Sequence, residues 1–325
     1  MSGLVLVTGA GGFVGGAVVR RLVADAVPVR AALRRPGAVL PAAASTVVGD
    51  IGPGTAWQTA LRGVDTVVHC AARVHRLRED DDDPLAAFRA VNRDGSIRLA
   101  EQAAEAGVRR FVFVSSIGVN GAETFGTPFR AGDTPRPHSP YAVSKHEAET
   151  ALRRIGAETG LGIVVIRPPL VYGPEAPGNF ATLLRAVHRG LPLPLGAIHN
   201  RRSFVALDNL VDLIAVAARH DAAPGRTFLV SDGEDLSTTE LLRRIARALG
   251  RSTRLVPVPA SWLRSAANLL GRRELGQRLC GSLEIDISAT RQTLGWQPPV
   301  TVDEALVTLA QHYLASRRGD RASAG

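Results

Sequence analysis

Leu4-Val5-Leu6-Val7-Thr8-Gly9-Ala10-Gly11-Gly12-Phe13-Val14-Gly15 opens this chain almost at its first residue. Four apolar residues in a row, closed off by glycine, read as a short strand buried on both faces. An amphipathic stretch over 13–24 follows and reads as a helix. Between them the glycines fall at 9, 12 and 15. Gly9 permits a tight turn, Gly12 lets the backbone approach a pyrophosphate, and Gly15 lets helix and sheet pack closely. The helix N-terminus then offers unpaired N–H groups to phosphates. Glycine spacing alone is a weak signal. Set between a strand and a helix, it predicts a dinucleotide-binding loop rather than a plain glycine-rich turn.

The same alternation continues outward. Short apolar runs at 29–33, 46–48, 64–70, 111–114 and 162–166 read as strands, and 88–106 and 141–159 have helical periodicity. Apolar strands separated by helices imply a mostly parallel sheet covered on both faces. The predicted fold class is α/β: a Rossmann-type doubly wound sheet with a smaller, discontinuous substrate-binding lobe. Pro168-Pro169 ends the regular pattern, because adjacent prolines remove donors and fix φ. The expected division is residues 1–167 plus about 201–230 for the nucleotide-binding domain, 168–200 and 231–312 for the lobe, and 313–325 as a flexible tail.

Composition excludes several classes. The 325 residues are 45% apolar but only 5% aromatic, so the core must be built mostly from Val, Leu, Ile and Ala. The formal charge of +9 attracts anions in general. The basic residues are scattered rather than blocked, so nucleic acid is not expected, while a phosphate-bearing small molecule is compatible. Two cysteines, Cys70 and Cys280, support neither a disulfide framework nor a zinc cluster, and no metal site is expected. The acidic run Glu79-Asp80-Asp81-Asp82-Asp83 reads as a solvated loop. No basic region precedes a long apolar run at the start, and no apolar stretch reaches 18 residues. A cytoplasmic protein without a membrane span is therefore expected.

The second strand should carry the group that reads the adenosine ribose. An Asp or Glu there would accept both hydroxyls of NAD. This strand ends instead in Ala31-Ala32-Leu33-Arg34-Arg35. A guanidinium pairs bidentately with a 2′-phosphate, so Arg34 favours NADP over NAD. Asp50, after the third strand, is placed to meet adenine.

Tyr141-Ala142-Val143-Ser144-Lys145 begins the long helix at 141. Residues four apart share a helix face, so the phenol and the ammonium project together. A nearby cation favours phenolate and lowers the phenol pKa. Tyr141 can then exchange a proton with a substrate oxygen during hydride transfer, with Lys145 holding the phenolate and the nicotinamide ribose. Ser115 and Ser116 follow the fifth strand, at the sheet edge where ligands bind. Ser116 is the preferred second donor.

Together these residues resemble the extended short-chain dehydrogenase/reductase family, and within it the nucleotide-sugar epimerase, dehydratase and reductase group. The resemblance spans about residues 3–312. Its marks are the glycine loop, Asp50-Ile51, Ala71-Ala72, Val91-Asn92, Ser115-Ser116, Tyr141 to Lys145, and Arg167-Pro168-Pro169-Leu170-Val171-Tyr172-Gly173-Pro174. It implies a catalytic set of Ser116, Tyr141 and Lys145, and support near the site from Asn92. It implies cofactor contacts by Phe13, Val14, Asp50, Ile51, Ala71, Ala72 and the Arg167/Pro168 turn. It also implies a UDP-sugar partner, with Asn179 and Phe180 at the diphosphate, Leu195 beside the base and Arg202 clamping the diphosphate. A homodimer through the helices near 88–106 and 141–159 is a further implication.

Departures from the group's patterns narrow the reaction. The stretch Ser115-Ser116-Ile117-Gly118-Val119-Asn120-Gly121 lacks the acidic pair that resembles a 4,6-dehydratase. The group's epimerases usually carry an acidic residue on the second strand and Tyr where Asn120 stands. On that ground the sequence is more similar to reductases acting at C4 of a UDP-4-keto-6-deoxy sugar of the N-acetylquinovosamine type. A UDP-sugar 4-epimerase with bound NAD is the alternative, and a non-catalytic dinucleotide-binding protein is a third reading.

Overall fold

A computed structural model describes residues 3–36, 43–74, 83–176 and 179–322. The strands are β1 (Leu4–Thr8), β2 (Val29–Leu33), β3 (Ala44–Val47), β4 (Val64–His69), β5 (Arg110–Val114), β6 (Gly162–Arg167), β7 (Leu170–Tyr172), β8 (Arg202–Ala206), β9 (Thr227–Leu229) and β10 (Asp235–Leu236). The helices are α1 (Phe13–Ala24), α2 (Gln58–Leu61), α3 (Pro84–Phe88), α4 (Gly95–Glu105), α5 (Pro140–Thr159) and α6 (Asn179–His188). They continue with α7 (Leu207–Ala217), α8 (Thr238–Ala248), α9 (Ala260–Leu269), α10 (Arg273–Cys280), α11 (Ser288–Leu294) and α12 (Val302–Ala322).

The large sheet runs β3-β2-β1-β4-β5-β6-β9, and every neighbouring pair is parallel. Its strands are apolar throughout because each face is covered. Val5, Val7, Val112, Val114, Val164 and Ile166 face a core shared with Val18 and Leu22 of α1 and with Leu210 and Ile214 of α7. The alternate residues Leu6, Val67, Phe111, Phe113 and Val165 face Leu99 of α4 and Leu152 of α5. This is the Rossmann-type parallel sheet expected from the sequence. Strand order reverses between β1 and β4, and the crevice at that switch lies beyond the carboxyl ends of the strands.

A second core holds Tyr172, Phe180, Leu184, Leu195, Leu242, Ile245, Leu306 and Leu309, beside a small sheet ordered β10-β8-β7. Three details depart from the expected division of the chain. β8 pairs with β7 in the small sheet, so the chain rejoins the large sheet only at β9. Leu283, Ile285, Ile287 and Trp296 pack under the large sheet rather than in the second core. α12 continues past 313 to Ala322, because Tyr313 and Leu314 still have apolar surface of the second core to cover.

The expected single helix over 88–106 is interrupted by a π-helical turn, Arg89–Asp94. π-turns insert a residue into a helix and often mark functional sites. Here the turn swings Asn92 inward, fully buried. The acidic stretch from Glu79 to Asp82 lies outside the described residues.

Candidate active site

The glycine loop leaves β1 at Gly9, whose φ is +66°. A Cβ there would lie 2.8 Å from the Ala71 nitrogen, and one on Gly15 would lie 2.2 Å from the Gly9 carbonyl oxygen. At Gly12 the gap to the same carbonyl would be 3.2 Å. The loop therefore has room for backbone only. Phe13 and Val14 begin α1 and lean on the core beneath it. Gly15→Ala is expected to push helix and loop apart. Overpacking of this kind costs about 1–3 kcal/mol, which is roughly 5- to 150-fold in affinity if it falls on the bound loop. Titration of dinucleotide into the variant measures it, and unchanged affinity refutes this function for the glycine.

At the adenosine end, Arg34 and Asp50 form an exposed ion pair with each other. The residue expected to take a 2′-phosphate is thus engaged by the residue expected at adenine. Ile51 packs under the start of α4, where a Cβ on Gly95 would meet its Cγ2 at 2.7 Å.

A buried polar chain ties the loop to the active-site helices. His69 is pushed down to about 3 by burial and then by the Lys145 charge, so it is neutral. Ser96 Oγ donates to the Asn92 carbonyl at 2.7 Å, so it accepts from His69 Nε2 at 2.9 Å. His69 Nδ1 must then accept from Thr8 Oγ1 at 2.6 Å, and Thr8 Oγ1 accepts the Ala71 N–H at 3.3 Å. Asn92 completes the link: its side chain brackets the Arg73 backbone at 2.8 and 3.1 Å and donates to Ser144 Oγ at 3.0 Å. Ala71 and Ala72 thus lie on a shelf fixed from β1 and from the π-turn.

α5 begins where the sequence supplies its cap. The Ser139 side chain accepts the Ala142 N–H, Pro140 occupies the first turn, and Gly160 closes the helix at φ +79°. Tyr141 packs edge-on against Phe88, ring centroids 5.9 Å apart. Lys145 is buried, donates to the Val114 carbonyl at 2.8 Å and lies 4.3 Å above the Phe113 ring. Burial pushes its pKa down to about 8. The sequence expectation that Lys145 lowers the phenol pKa needs correction. Burial pushes Tyr141 up to about 12, because desolvation of phenolate dominates while the ammonium is turned to a backbone carbonyl.

The two serines divide their work. Ser115 is buried and donates to Glu149 Oε1 at 2.6 Å. Ser116 is partly exposed, and its Oγ accepts the Gly118 N–H at 3.1 Å, leaving the hydroxyl proton free to donate. A Cβ on Gly118 would lie 3.4 Å from Ser116 Oγ and 3.3 Å from the Ala142 Cβ, so this hydroxyl sits beside the first turn of α5. Pro168 is buried, and its carbonyl accepts the Ile117 N–H at 2.9 Å, which holds the serine turn to the end of β6.

Sequence reasoning missed one cluster. Arg167, expected at a cofactor turn, is 2% exposed and spends its guanidinium on Glu149, at 2.9 and 2.5 Å, and on Asn120 Oδ1 at 2.9 Å. Glu149 lies one turn beyond Lys145 on the same helix face, and that spacing was the available signal.

The residues expected at the substrate are placed unevenly. Phe180 is buried and stacks on Tyr172, centroids 5.5 Å apart. Leu195 is buried, and its carbonyl accepts from Thr239 Oγ1 at 2.6 Å. Both side chains serve the second core. The Asn179 side chain lies outside the described residues. Arg202 donates to the Gly281 carbonyl at 2.9 Å, and burial holds it below the usual arginine range. Cys280 and Ser282, on either side of that glycine, line a cavity of about 540 Å³ together with Glu123, Thr124, His199 and Asn200.

Residues 5–231 match the model of the NAD dependent epimerase/dehydratase family. A UDP-glucose 4-epimerase of Vibrio cholerae is 42% identical over 317 residues, 95% of each chain. A UDP-glucose 4-epimerase of Mycolicibacterium smegmatis is 31% identical over 327 residues, 95% of this chain and 97% of that one. The Thermus thermophilus UDP-glucose 4-epimerase, solved in complex with NAD, aligns with a TM-score of 0.77 at 25% identity, covering 96% of this chain and 99% of that one.

Proposed function

This chain belongs to the NAD dependent epimerase/dehydratase family, and on that premise we propose that it is a UDP-sugar 4-epimerase working with NAD. The full-length match to the Vibrio cholerae enzyme carries this reading. It displaces the net reductase favoured by the sequence, and the two features that favoured a reductase lose force. Asn120, where a Tyr was expected of an epimerase, is buried and tied to Arg167, so its identity does not bear on the substrate directly. The carboxylate absent from β2 is a role we assign to Asp50, which follows β3 and forms an exposed ion pair with Arg34 at the end of β2. With Arg34 paired in this way, NAD is preferred to NADP.

Gly9 and Gly15 close the turn against Ala71 and against the loop itself, and Gly12, where a Cβ would crowd the Gly9 carbonyl, is the position we assign to the pyrophosphate. Bound NAD supplies the acceptor that takes and returns the hydrogen at sugar C4. Tyr141 Oη takes the proton of the C4 hydroxyl and gives it back, and Ser116 Oγ donates to the same oxygen. Burial alone keeps Tyr141 a phenol, so the positive nicotinamide ring of bound NAD would supply the bias towards phenolate, while Lys145, anchored at the Val114 carbonyl, would hold the nicotinamide ribose. Arg202 holds the diphosphate.

The buried ammonium gives the reaction a pH signature. Lys145 loses its proton near pH 8, well below an exposed lysine. Its charge is therefore present below that value, and kcat/KM is expected to fall as pH rises through about 8. Lys145→Arg keeps the cation at all pH and should remove that basic limb, whatever it does to the maximal rate. A limb that stays at the same pH assigns it to another group. For stability the sign is opposite. Burying the charged form costs the fold below about pH 8, and the cost is relieved as pH rises from there towards 10.5.

The function is tested with purified protein and UDP-glucose or UDP-galactose, following both sugars and absorbance at 340 nm. Interconversion with no net absorbance change is expected. Stoichiometric consumption of NADH or NADPH with a UDP-4-keto-6-deoxy sugar, without interconversion, would restore the reductase reading.

A further inference from the structure

α9 is a ten-residue helix with no buried residue, yet it is rich in apolar side chains. Trp262, Ala266 and Leu269 recur at i, i+4 and i+7, and all three are exposed. Trp262 is 71% exposed, Leu269 88% and Leu270 74%. The opposite stripe holds the helix to the protein: a Cβ on Gly276 of α10 would lie 2.8 Å from Ala267 Cβ. The outward apolar face is therefore unused by the fold. Phe125, 87% exposed, extends it, lining the cavity rim together with Ala260, Ser261 and Arg264.

Charge complementarity identifies what covers this face. Arg272, after Gly271, caps the start of α10 and Arg273 begins it; both are exposed, and neither makes an ion pair among the described residues. An exposed Trp and leucines beside unpaired arginines is the pattern of a helix that lies in the headgroup layer of an anionic bilayer. Among the described residues no helix is long and apolar enough to cross a membrane, so the contact is peripheral. We propose that the α9–α10 hairpin docks this protein on anionic membrane surfaces, with Trp262, Leu269 and Leu270 entering the interface and Arg272 and Arg273 meeting lipid phosphates. The docking face borders the cavity in the second lobe, which would open close to the membrane plane.

Fluorescence reports on this face selectively. The chain has three tryptophans, and Trp57 and Trp296 are 0% and 4% exposed, so a change in emission on docking comes from Trp262. Adding vesicles of phosphatidylglycerol and phosphatidylcholine at low salt should shift emission to the blue and carry the protein down on sedimentation. Vesicles of phosphatidylcholine alone should do so far less, and added salt should reverse the effect. The double variant Leu269→Glu, Leu270→Glu should lose at least about tenfold in vesicle partition. Its fold is preserved because both side chains face solvent, and UDP-sugar turnover should match the parent. No blue shift and no sedimentation with anionic vesicles overturns the proposal. So does a blue shift that follows protein concentration without vesicles, which would mean that a second copy covers the helix.

Discussion

Tyr141→Phe is expected to lower kcat by about 10²–10⁴-fold, the usual worth of a positioned acid–base group. The substitution removes one oxygen and keeps the ring, so the edge-on contact with Phe88 survives. The glycine loop, the Ala71 shelf and the Lys145 anchor at Val114 do not touch that oxygen in the described hydrogen bonds. Dinucleotide affinity should therefore stay within a few-fold of the parent. Turnover of UDP-sugar and binding of NAD, measured on one preparation, separate the two effects. Retained turnover would remove Tyr141 from the chemistry, whereas a parent that binds NAD but turns over no UDP-sugar would favour a protein that only binds the nucleotide. Equal loss of binding and rate would mean that the phenol holds the site together rather than moving a proton.

Glu149→Ala should destabilise the fold by about 3–5 kcal/mol, the cost of breaking a buried ion pair by removing one partner. Arg167 would keep its charge at 2% exposure with only Asn120 as a described partner. Ser115 would lose its acceptor as well. The cost lies in the orphaned charge more than in the lost attraction. The double variant Glu149→Leu, Arg167→Met should therefore recover much of the loss, short of the hydrogen bonds that Asn120 and Ser115 give up. Denaturant midpoints of the parent, the single variant and the double variant measure this. A double variant as unstable as Glu149→Ala would show that packing, not charge, sets the penalty. Because Ser115 precedes Ser116 and Lys145 lies one turn from Glu149, activity of the single variant is expected to fall with its stability.

Much of the site was legible in the chain because its signals are local. Glycine spacing after β1 encodes a turn only glycine can make. The Ser139-Pro140 start of α5 and the four-residue step from Tyr141 to Lys145 fix the helix and its face. The helix interruption at Asn92 was not legible, since its cause is a set of partners at Arg73 and Ser144 that sit far off in sequence. The same holds for the reason behind the choice between serines. The sequence preferred Ser116 to Ser115, but only the fold shows the physical difference: Ser115 is spent on a buried carboxylate, while Ser116 stays partly exposed with its hydroxyl proton free. Phe180 and Leu195 carry a role that adjacency in the chain did not show: both side chains are buried in the second core, where apolar burial stabilises the lobe.

The sequence by itself determined the parallel sheet, the glycine turn after β1 and the placing of Tyr141 and Lys145 four residues apart on one helix, because each depends on periodicity or steric limits within a few residues. The tertiary structure alone decided the electrostatics. Distant segments meet to desolvate Tyr141 and Lys145, to join Arg34 to Asp50 across two strands, and to seal Glu149 against Arg167. How strongly a charge is felt depends on what surrounds it in space, and adjacency in the chain does not specify that.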